Sequence, residues 1–331
     1  MIMNTEGAPQ GAPFSFPYYN QEVKKLLVLI GIVVIGFTYW NTKRVVLAPE
    51  PELITPTTTT RPITPTVVAN PVIRASISTP MQGDTLVLKL VDDPSNIINF
   101  GKQEYSAINL NNKRITIIGI PPTATLGNVT ISTPLASTSI TIVDRAFRET
   151  VLVVPELAKT QGYTPAKIAT SLAKTNAVDL PSALIPTSQE PLFTQAFIPP
   201  LPKWIMVGGF GNVRTEGKTS IRHLGVDLDA KRGDPIQATN AGRITLAHYL
   251  DSYGNTAIIE HGVGIFSLYL HMDSLATNTV LGNNVERGQV IGYVGNTGVY
   301  SIDPHLHFSI KIGANAVDPA RFLSAINKYL E

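Results

Sequence analysis

Two stretches carry the main structural and functional signals of the C-terminal part of this chain: HLGVDLDAKRGDPIQA (223–238) and PHLHF (304–308). In the first, apolar residues alternate with polar or small ones, the period-2 pattern of a β-strand. A straight strand would separate the side chains of His223 and Asp227 by about 13 Å, too far for both to bind one metal ion. They can share an ion only if the chain bends sharply, and we expect that bend at Gly225, whose backbone is the least restricted.

The second stretch carries two histidines on what we interpret as another strand. His305 and His307 are two positions apart, so both imidazoles are expected to point to the same face. Leu306 and Phe308 would then be buried behind them. Two histidines on one face of a short strand are costly to bury without a partner, so this pattern favours metal binding or catalysis.

The other three histidines carry weaker signals on their own. In SLYLH (267–271), alternation predicts that Ser267, Tyr269 and His271 share one face of a strand. His248 lies in a stretch that we interpret as a polar turn, and His261 lies between a strand and Gly262. We assign neither His248 nor His261 a direct role.

Taken together, in this order and at these intervals, five segments resemble the lysostaphin-like (LytM-type) zinc endopeptidases of family M23. They are HLGVDLDAKRGDPIQA, YGNTAIIEHG, SLYLH, VERGQVIGYVGNTG and PHLHF, and they cover most of 223–308. The resemblance implies a mainly β fold, with an antiparallel β peptidase domain of the LytM or duplicated-hybrid-motif type at 201–331. It also implies one Zn²⁺ ion, bound by His223, Asp227 and His307.

The same resemblance assigns roles beside the metal. His271 and His305 are implied as the catalytic histidines, and the substrate as a stem or cross-link peptide of bacterial peptidoglycan. Three protein ligands would leave a fourth position for water, as in catalytic zinc sites. Tyr253, Asn255 and Tyr269 are expected to line the substrate groove.

A faint internal repeat accompanies these motifs. Arg232-Gly-Asp-Pro-Ile and Arg287-Gly-Gln-Val-Ile are each followed by a strand that starts with glycine, at Gly242 and Gly292. Two related β units that close on each other would produce such a repeat.

The N-terminal part predicts a membrane anchor. We interpret residues 1–23 as a flexible, cytoplasmic tail. The segment 24–44 contains the apolar run LLVLIGIVVIGFTYW, flanked by basic residues on both sides. We interpret 24–44 as an uncleaved transmembrane helix; a cleaved signal peptide is the alternative. The charges do not decide the orientation, but a peptidoglycan substrate implies that the rest of the chain lies outside the cytoplasmic membrane.

Between the anchor and the peptidase domain we expect three segments without chemistry of their own. Residues 45–71 are rich in proline and threonine and predict an extended spacer. Residues 72–145 contain short alternating strands, typical of a small Ig-like β-sandwich. Residues 146–200 form a connector with one strand (VLVV) and a helix capped by Thr164.

The composition excludes several kinds of partner and site. The net charge of +2 is small, and basic and acidic residues balance in 201–331, so no nucleic-acid partner is expected. The absence of cysteine excludes disulfides and thiolate ligands. Two alternatives remain: a non-catalytic relative that binds the wall or activates another hydrolase, and a membrane-anchored adaptor of a transport assembly. The histidine pattern argues against the adaptor.

Overall fold

Alternating apolar residues build a β-sandwich at the start of the described chain. The computed structural model describes residues 70–154, 156–298 and 303–330. Its first eight strands are β1 (Val72–Ala75), β2 (Thr85–Val91), β3 (Ile97–Phe100), β4 (Gln103–Ser106), β5 (Ile108–Leu110), β6 (Lys113–Gly119), β7 (Gly127–Ser132) and β8 (Ser137–Ile142). They form two four-stranded sheets, in the orders β1-β2-β6-β5 and β4-β3-β7-β8. One apolar core, which includes Leu88 and Ile131, joins both sheets. The small sandwich is thus confirmed, whereas its Ig-like character stays a prediction.

The remaining strands form three sheets. They are β9 (Glu149–Val151), β10 (Met206–Gly208), β11 (Val213–Glu216), β12 (Thr219–Arg222), β13 (Val226–Asp229), β14 (Pro235–Gln237), β15 (Gly242–Leu250), β16 (Gly254–Glu260), β17 (Ile265–Met272), β18 (Ser274–Leu275), β19 (Asn284–Val285), β20 (Val290–Tyr293), β21 (His305–Ile312) and β22 (Asn315–Val317). The largest sheet has the order β10-β13-β21-β17-β16-β15-β19, with β22 beside β21. The smaller sheets are β12-β11-β9 and β14-β20-β18. All pairs are antiparallel except β9 with β11, so the mainly antiparallel β fold is confirmed.

The two repeated segments pair with each other. β14 lies antiparallel to β20, so that Pro235 is opposite Tyr293 and Ile236 is opposite Gly292. A side chain at position 292 would collide with the Met272 side chain, its Cβ only 2.4 Å from the Met272 methyl carbon. The expectation that these two units pair is therefore confirmed, whereas the second strand begins at Val290 and not at Gly292.

The connector contains more helix than its sequence predicts. After α1 (Glu156–Thr160), α2 (Pro165–Lys174) begins as expected, with Thr164 Oγ1 accepting from the Lys167 backbone N–H at 3.3 Å. A π-helical turn (Thr175–Asp179) and a 3₁₀ turn (Pro181–Leu184) follow. The strand predicted from VLVV is wrong in position, because pairing with β11 ends at Val151.

The sandwich packs against the C-terminal helix α3 (Pro319–Asn327). Val87 of β2 and Ile117 of β6 share a core with Phe322 of that helix. Asp318 caps the helix by accepting from the backbone N–H of Ala320 and Arg321, and it also pairs with Arg145. The sheet that contains β2 and β6 is therefore buried on both of its faces.

Three N-terminal predictions lie outside the described residues: the tail (1–23), the anchor (24–44) and nearly all of the spacer (45–71). Within the part of the chain that the structure describes, no helix combines the length and the apolar character needed to cross a membrane.

Candidate metal centre

Strand pairing brings two of the predicted metal ligands together. In the antiparallel register of β13 and β21, Asp227 lies directly opposite His307. His223 follows the end of β12, and a bend at Gly225 returns the chain to the start of β13. The bend lies where the sequence predicts it, but for a different reason. The φ of Gly225 is not positive; a Cβ there would lie 2.3 Å from Ser309 Oγ and 2.5 Å from His307 Nε2.

The three side chains converge on one point. His223 Nε2 lies 2.9 Å from Asp227 Oδ1 and 3.0 Å from His307 Nδ1, and His307 Nδ1 lies 2.9 Å from the same Asp227 oxygen. Each residue thus presents one candidate ligand atom to a shared space. Zinc ligands at about 2.0–2.1 Å in tetrahedral geometry are roughly 3.3 Å apart, so only a small expansion separates this arrangement from a zinc site.

Outer hydrogen bonds fix which nitrogen of each histidine carries the proton. His223 Nδ1 lies 2.8 Å from the Gly209 carbonyl oxygen, which can only accept, so Nδ1 donates and Nε2 keeps its lone pair. Ser309 Oγ donates to the Leu224 carbonyl at 2.9 Å and therefore accepts from His307 Nε2 at 3.0 Å. His307 Nδ1 is consequently the free nitrogen. Such outer partners orient the ligands of metal sites.

Asp227 is held from both sides. Its second oxygen, Oδ2, accepts a hydrogen bond from Arg214 Nη2 at 3.2 Å. The glycine at position 208 leaves space for this oxygen, because a Cβ at position 208 would lie only 2.3 Å from Oδ2. Burial raises the pKa of Asp227, but the adjacent His223 and His307 rings outweigh it and hold that pKa far below its usual range. The carboxylate is therefore ionised. No signal in the single sequence points to Arg214.

The donor set fits a divalent metal ion. Burial lowers the pKa of His307 to about 4, although Asp227 acts to raise it, so the imidazole is neutral at pH 7. In the tautomers that the outer acceptors favour, two nitrogen lone pairs and a carboxylate oxygen face one another without a proton between them. Such a cluster is repulsive unless a cation occupies it, and two imidazoles with one carboxylate suit Zn²⁺.

The two predicted catalytic histidines stand beside this cluster. The ring of His271 is 5.2 Å from that of His305 and 6.0 Å from that of His307. His271 Nδ1 donates to the Thr297 carbonyl and His305 Nδ1 to the Asp303 carbonyl, so both Nε2 atoms keep lone pairs. His305 Nε2 lies 3.7 Å from Asp227 Oδ1.

His271 reaches the site through an irregularity in β17. Between the pairs Asn255–Met272 and Ala257–Tyr269, β17 has one residue more than β16, and His271 adopts a φ of 62°. This bulge turns its ring to the cavity side, so the prediction that His271 shares a face with Ser267 and Tyr269 is wrong. Burial, then the charges of His305 and His307, lower the pKa of His271 to about 3.

A cavity of about 650 Å³ opens over the cluster. Its wall includes all five predicted metal and catalytic residues together with apolar residues of the connector: His223, Asp227, His271, His305, His307, Val151, Val153, Ala169, Leu172 and Leu180. The fold and the donor set define a β-sheet protein whose central strands present a two-histidine, one-aspartate centre to a partly apolar cavity.

Of the three predicted groove residues, only Tyr253 lines this cavity. Its hydroxyl accepts from Asn176 Nδ2 at 2.9 Å, and burial raises its pKa to about 12. Tyr269 is fully buried, and its hydroxyl oxygen accepts from the Thr239 N–H, so its expected groove role is wrong. Asn255 is also not in the wall; its side-chain amide donates to the Met272 and Asp273 carbonyls.

The last two histidines lie outside the centre, as expected. His261 is buried, donates from Nδ1 to the Ala241 carbonyl, and has its Nε2 2.7 Å from Ser267 Oγ. Burial lowers its pKa to about 4. His248 is exposed in the middle of β15, so its assignment to a turn is wrong.

This chain is similar in sequence to several known proteins. The family model of Peptidase family M23 matches residues 221–319. The Escherichia coli strain K12 protein described as uncharacterized lipoprotein YgeR is 31% identical over 195 residues, 54% of this chain and 76% of YgeR. The DD-carboxypeptidase/endopeptidase Mpg of Neisseria meningitidis serogroup B is 38% identical over 97 residues, 29% of this chain and 22% of Mpg. Murein hydrolase activator NlpD of Escherichia coli strain K12 is 34% identical over 112 residues, 34% of this chain and 28% of NlpD.

A solved structure agrees on the fold. A Pseudomonas aeruginosa protein described as a peptidase M23 superposes with a TM-score of 0.51 at 22% identity, covering 74% of this chain and 96% of that protein. This chain belongs to peptidase family M23.

Proposed function

We propose that this protein is a membrane-anchored zinc metalloendopeptidase that hydrolyses stem or cross-link peptide bonds of bacterial peptidoglycan. The observation that carries the proposal is the convergence of His223 Nε2, Asp227 Oδ1 and His307 Nδ1 within 3.0 Å, with both imidazole tautomers fixed by outer acceptors. These three residues are the proposed zinc ligands. Membership of a peptidase family supports the reaction class.

The reaction requires proton transfers, and two histidines are placed for them. A bound zinc ion would polarise the scissile carbonyl and lower the pKa of a water molecule. His271 donates from Nδ1 to the Thr297 carbonyl, so its Nε2 offers the lone pair that a proton acceptor needs. His305 holds Nδ1–H on the Asp303 carbonyl, so its Nε2 is free to take or return a proton near the leaving amine.

The proposed location follows from the substrate. We place the tail (1–23) in the cytoplasm, the anchor (24–44) in the membrane, and the spacer (45–71), sandwich (72–145), connector (146–200) and peptidase domain (201–331) outside it. Two relatives, YgeR of Escherichia coli and NlpD of Yersinia enterocolitica, are described as lipoproteins, which is consistent with an envelope location. A reporter fused after residue 331 is expected to be active only outside the cytoplasm. Cytoplasmic activity of that fusion would refute this topology.

A second candidate function is activation of another hydrolase without catalysis. The name of NlpD, a murein hydrolase activator, motivates it. The complete donor set argues for an enzyme, because an activator requires neither a metal ion nor the two adjacent histidines. Zinc content and hydrolysis by the purified chain alone therefore separate the two functions.

The deciding experiment uses the full chain in detergent, with peptidoglycan dye release and zinc measured by mass spectrometry. His307→Ala is expected to lose both zinc and hydrolysis. His305→Ala should keep zinc and lose about 10²–10⁴-fold in rate, the usual contribution of general acid–base catalysis. His248→Ala, which removes an exposed histidine of β15, is the control and should match the parent protein. An active His307→Ala protein would exclude the assignment.

A further inference from the structure

One face of β21 continues beyond the metal centre. Residues two apart on a strand share a face, so His305, His307, Ser309 and Lys311 form one row. The first two are the proposed catalytic and ligand residues, and Ser309 orients His307. Lys311 lies four residues from His307, about 13 Å along the strand, and it lines the same cavity.

The ammonium group of Lys311 is unpaired. Among residues 70–154, 156–298 and 303–330, it makes no hydrogen bond or ion pair, although its side chain is half-buried. The other two cations of the cavity wall are engaged: Arg214 pairs with Asp227, and Arg222 donates to the Gly211 carbonyl. Burial lowers the pKa of Lys311, the cost of removing a charge from water without a counter-charge.

The surroundings of Lys311 are apolar. On the neighbouring strand β17, Phe266 is opposite Lys311 and Leu268 is opposite Ser309, and Leu268 lines the cavity. The acidic residues of the wall other than Asp227 lie at the other end of the row: Asp229 is opposite His305, and Asp303 precedes His305 by two positions. The cavity therefore offers acidic groups near the reacting bond and one unpaired cation away from it.

We propose that Lys311 is a substrate-binding residue that pairs with a carboxylate of the peptide, about two to four residues from the hydrolysed bond. This inference rests on the proposed peptidase function. An extended peptide rises about 3.3 Å per residue, so about four residues would cover the 13 Å between His307 and Lys311. Fewer residues suffice if the flexible lysine side chain reaches towards the metal centre. In an apolar, partly buried setting a charge-assisted contact is stronger than a surface ion pair.

The test measures binding separately from hydrolysis. The probes are a purified cross-linked peptide dimer of bacterial peptidoglycan and the same dimer with its carboxyl groups converted to amides. Affinities are measured by calorimetry on the full-length, zinc-loaded His305→Ala protein, which is expected to bind without cleaving. We expect the carboxylate dimer to bind at least about tenfold more tightly than the amide dimer.

Lys311→Met and Lys311→Gln, each in the His305→Ala background, should lose this preference while binding the amide dimer within twofold of their parent. Lys311→Arg should keep most of it, and Lys102→Met, a neutralised exposed lysine of the sandwich, should keep all of it. Both neutral variants should fold with an unchanged or higher thermal midpoint, because they remove an unpaired buried charge. Two further dimers each carry one amide, the first at the carboxyl group of the chain end and the second at the branch carboxyl group. They should differ in affinity, because Lys311 pairs with only one of these carboxylates.

A preference that persists in folded Lys311→Met and Lys311→Gln proteins would overturn the inference, as would equal binding of all dimers by the parent. A wild-type protein that shows the preference but hydrolyses nothing would instead sink the proposed peptidase function. Hydrolysis by the wild type without any preference would leave the peptidase function standing and reject the role of Lys311.

Discussion

Gly225→Ala tests whether the close packing of the bend assembles the metal centre. The bend holds His223 and Asp227 against β21, and it does so without positive φ. An ideal Cβ at position 225 would lie 2.3 Å from Ser309 Oγ, 2.5 Å from His307 Nε2 and 2.6 Å from the Phe308 carbonyl oxygen. The added methyl group therefore meets one proposed ligand, the group that orients it, and the backbone of the central strand.

The required movement exceeds what a metal site tolerates. Comfortable contacts lie at about 3.5 Å, so the bend must move by about 0.9 Å from the Phe308 carbonyl alone. Ligand distances in a metal site are held to within about 0.2 Å. Because β21 is paired with β13 along one edge and with β17 along the other, we expect the bend to move and to carry His223 out of reach. The zinc dissociation constant should rise at least about 100-fold.

The assay is competition for zinc with a chromophoric chelator, using the full chain in detergent. Gly313→Ala is the matched control, because position 313 is exposed, has φ of 57° and has no atom within 4 Å of an added Cβ. That variant should lose only about 1 kcal/mol of stability from the left-handed backbone and bind zinc normally. If Gly225→Ala binds one zinc ion with the affinity of the parent, the reasoning about the bend is refuted.

Two further predictions concern proton positions. Ser309→Ala removes the acceptor that keeps the proton of His307 on Nε2, so zinc affinity should fall about 10–100-fold, which chelator competition measures; unchanged affinity would exclude this role. In the zinc-free protein, burial holds the pKa values of His261 and His307 at about 4 and that of His271 at about 3, below the unfolded value of 6.5. The unfolded chain then binds more protons at low pH, so the free energy of unfolding should have its full value above pH 6.5. It should fall as the pH drops towards 4, by up to about 1.4 kcal/mol per pH unit for each histidine. A thermal midpoint that stays constant over this range would contradict the assignment.

Local pattern predicts the parts of the fold that depend on short-range sequence. The alternation in HLHF places His305 and His307 on one face, and the structure agrees, because β21 is regular and central. Thr164 and Pro165 mark the start of α2 for the same reason: capping involves neighbours three residues apart. The repeat of Arg-Gly segments predicts a pairing over a longer distance, since two similar units present complementary edges.

Sequence pattern fails where backbone geometry departs from the strand period. The bulge in β17 reverses the side of His271 relative to Tyr269, so that one enters the cavity and the other the core. Alternation cannot reveal such a reversal, because it depends on one extra residue in a cross-strand register. Arg214 is missed for another reason: its partner Asp227 is brought to it by the fold, and nothing near position 214 resembles a motif.

The proposed ligands owe their geometry to backbone rather than to mobile side chains. The outer partner of His223 is a carbonyl oxygen, and Ser309, the outer partner of His307, is itself held by the Leu224 carbonyl. Because backbone carbonyl groups beside the strand ends move less than side chains do, both free imidazole nitrogens are oriented before any ion binds, and little reorganisation opposes binding. The opposite wall differs, since the contacts of Ser171 with Ser252 and of Asn176 with Tyr253 join flexible side chains. The metal centre should therefore tolerate changes in the connector, whereas substrate affinity should respond to them.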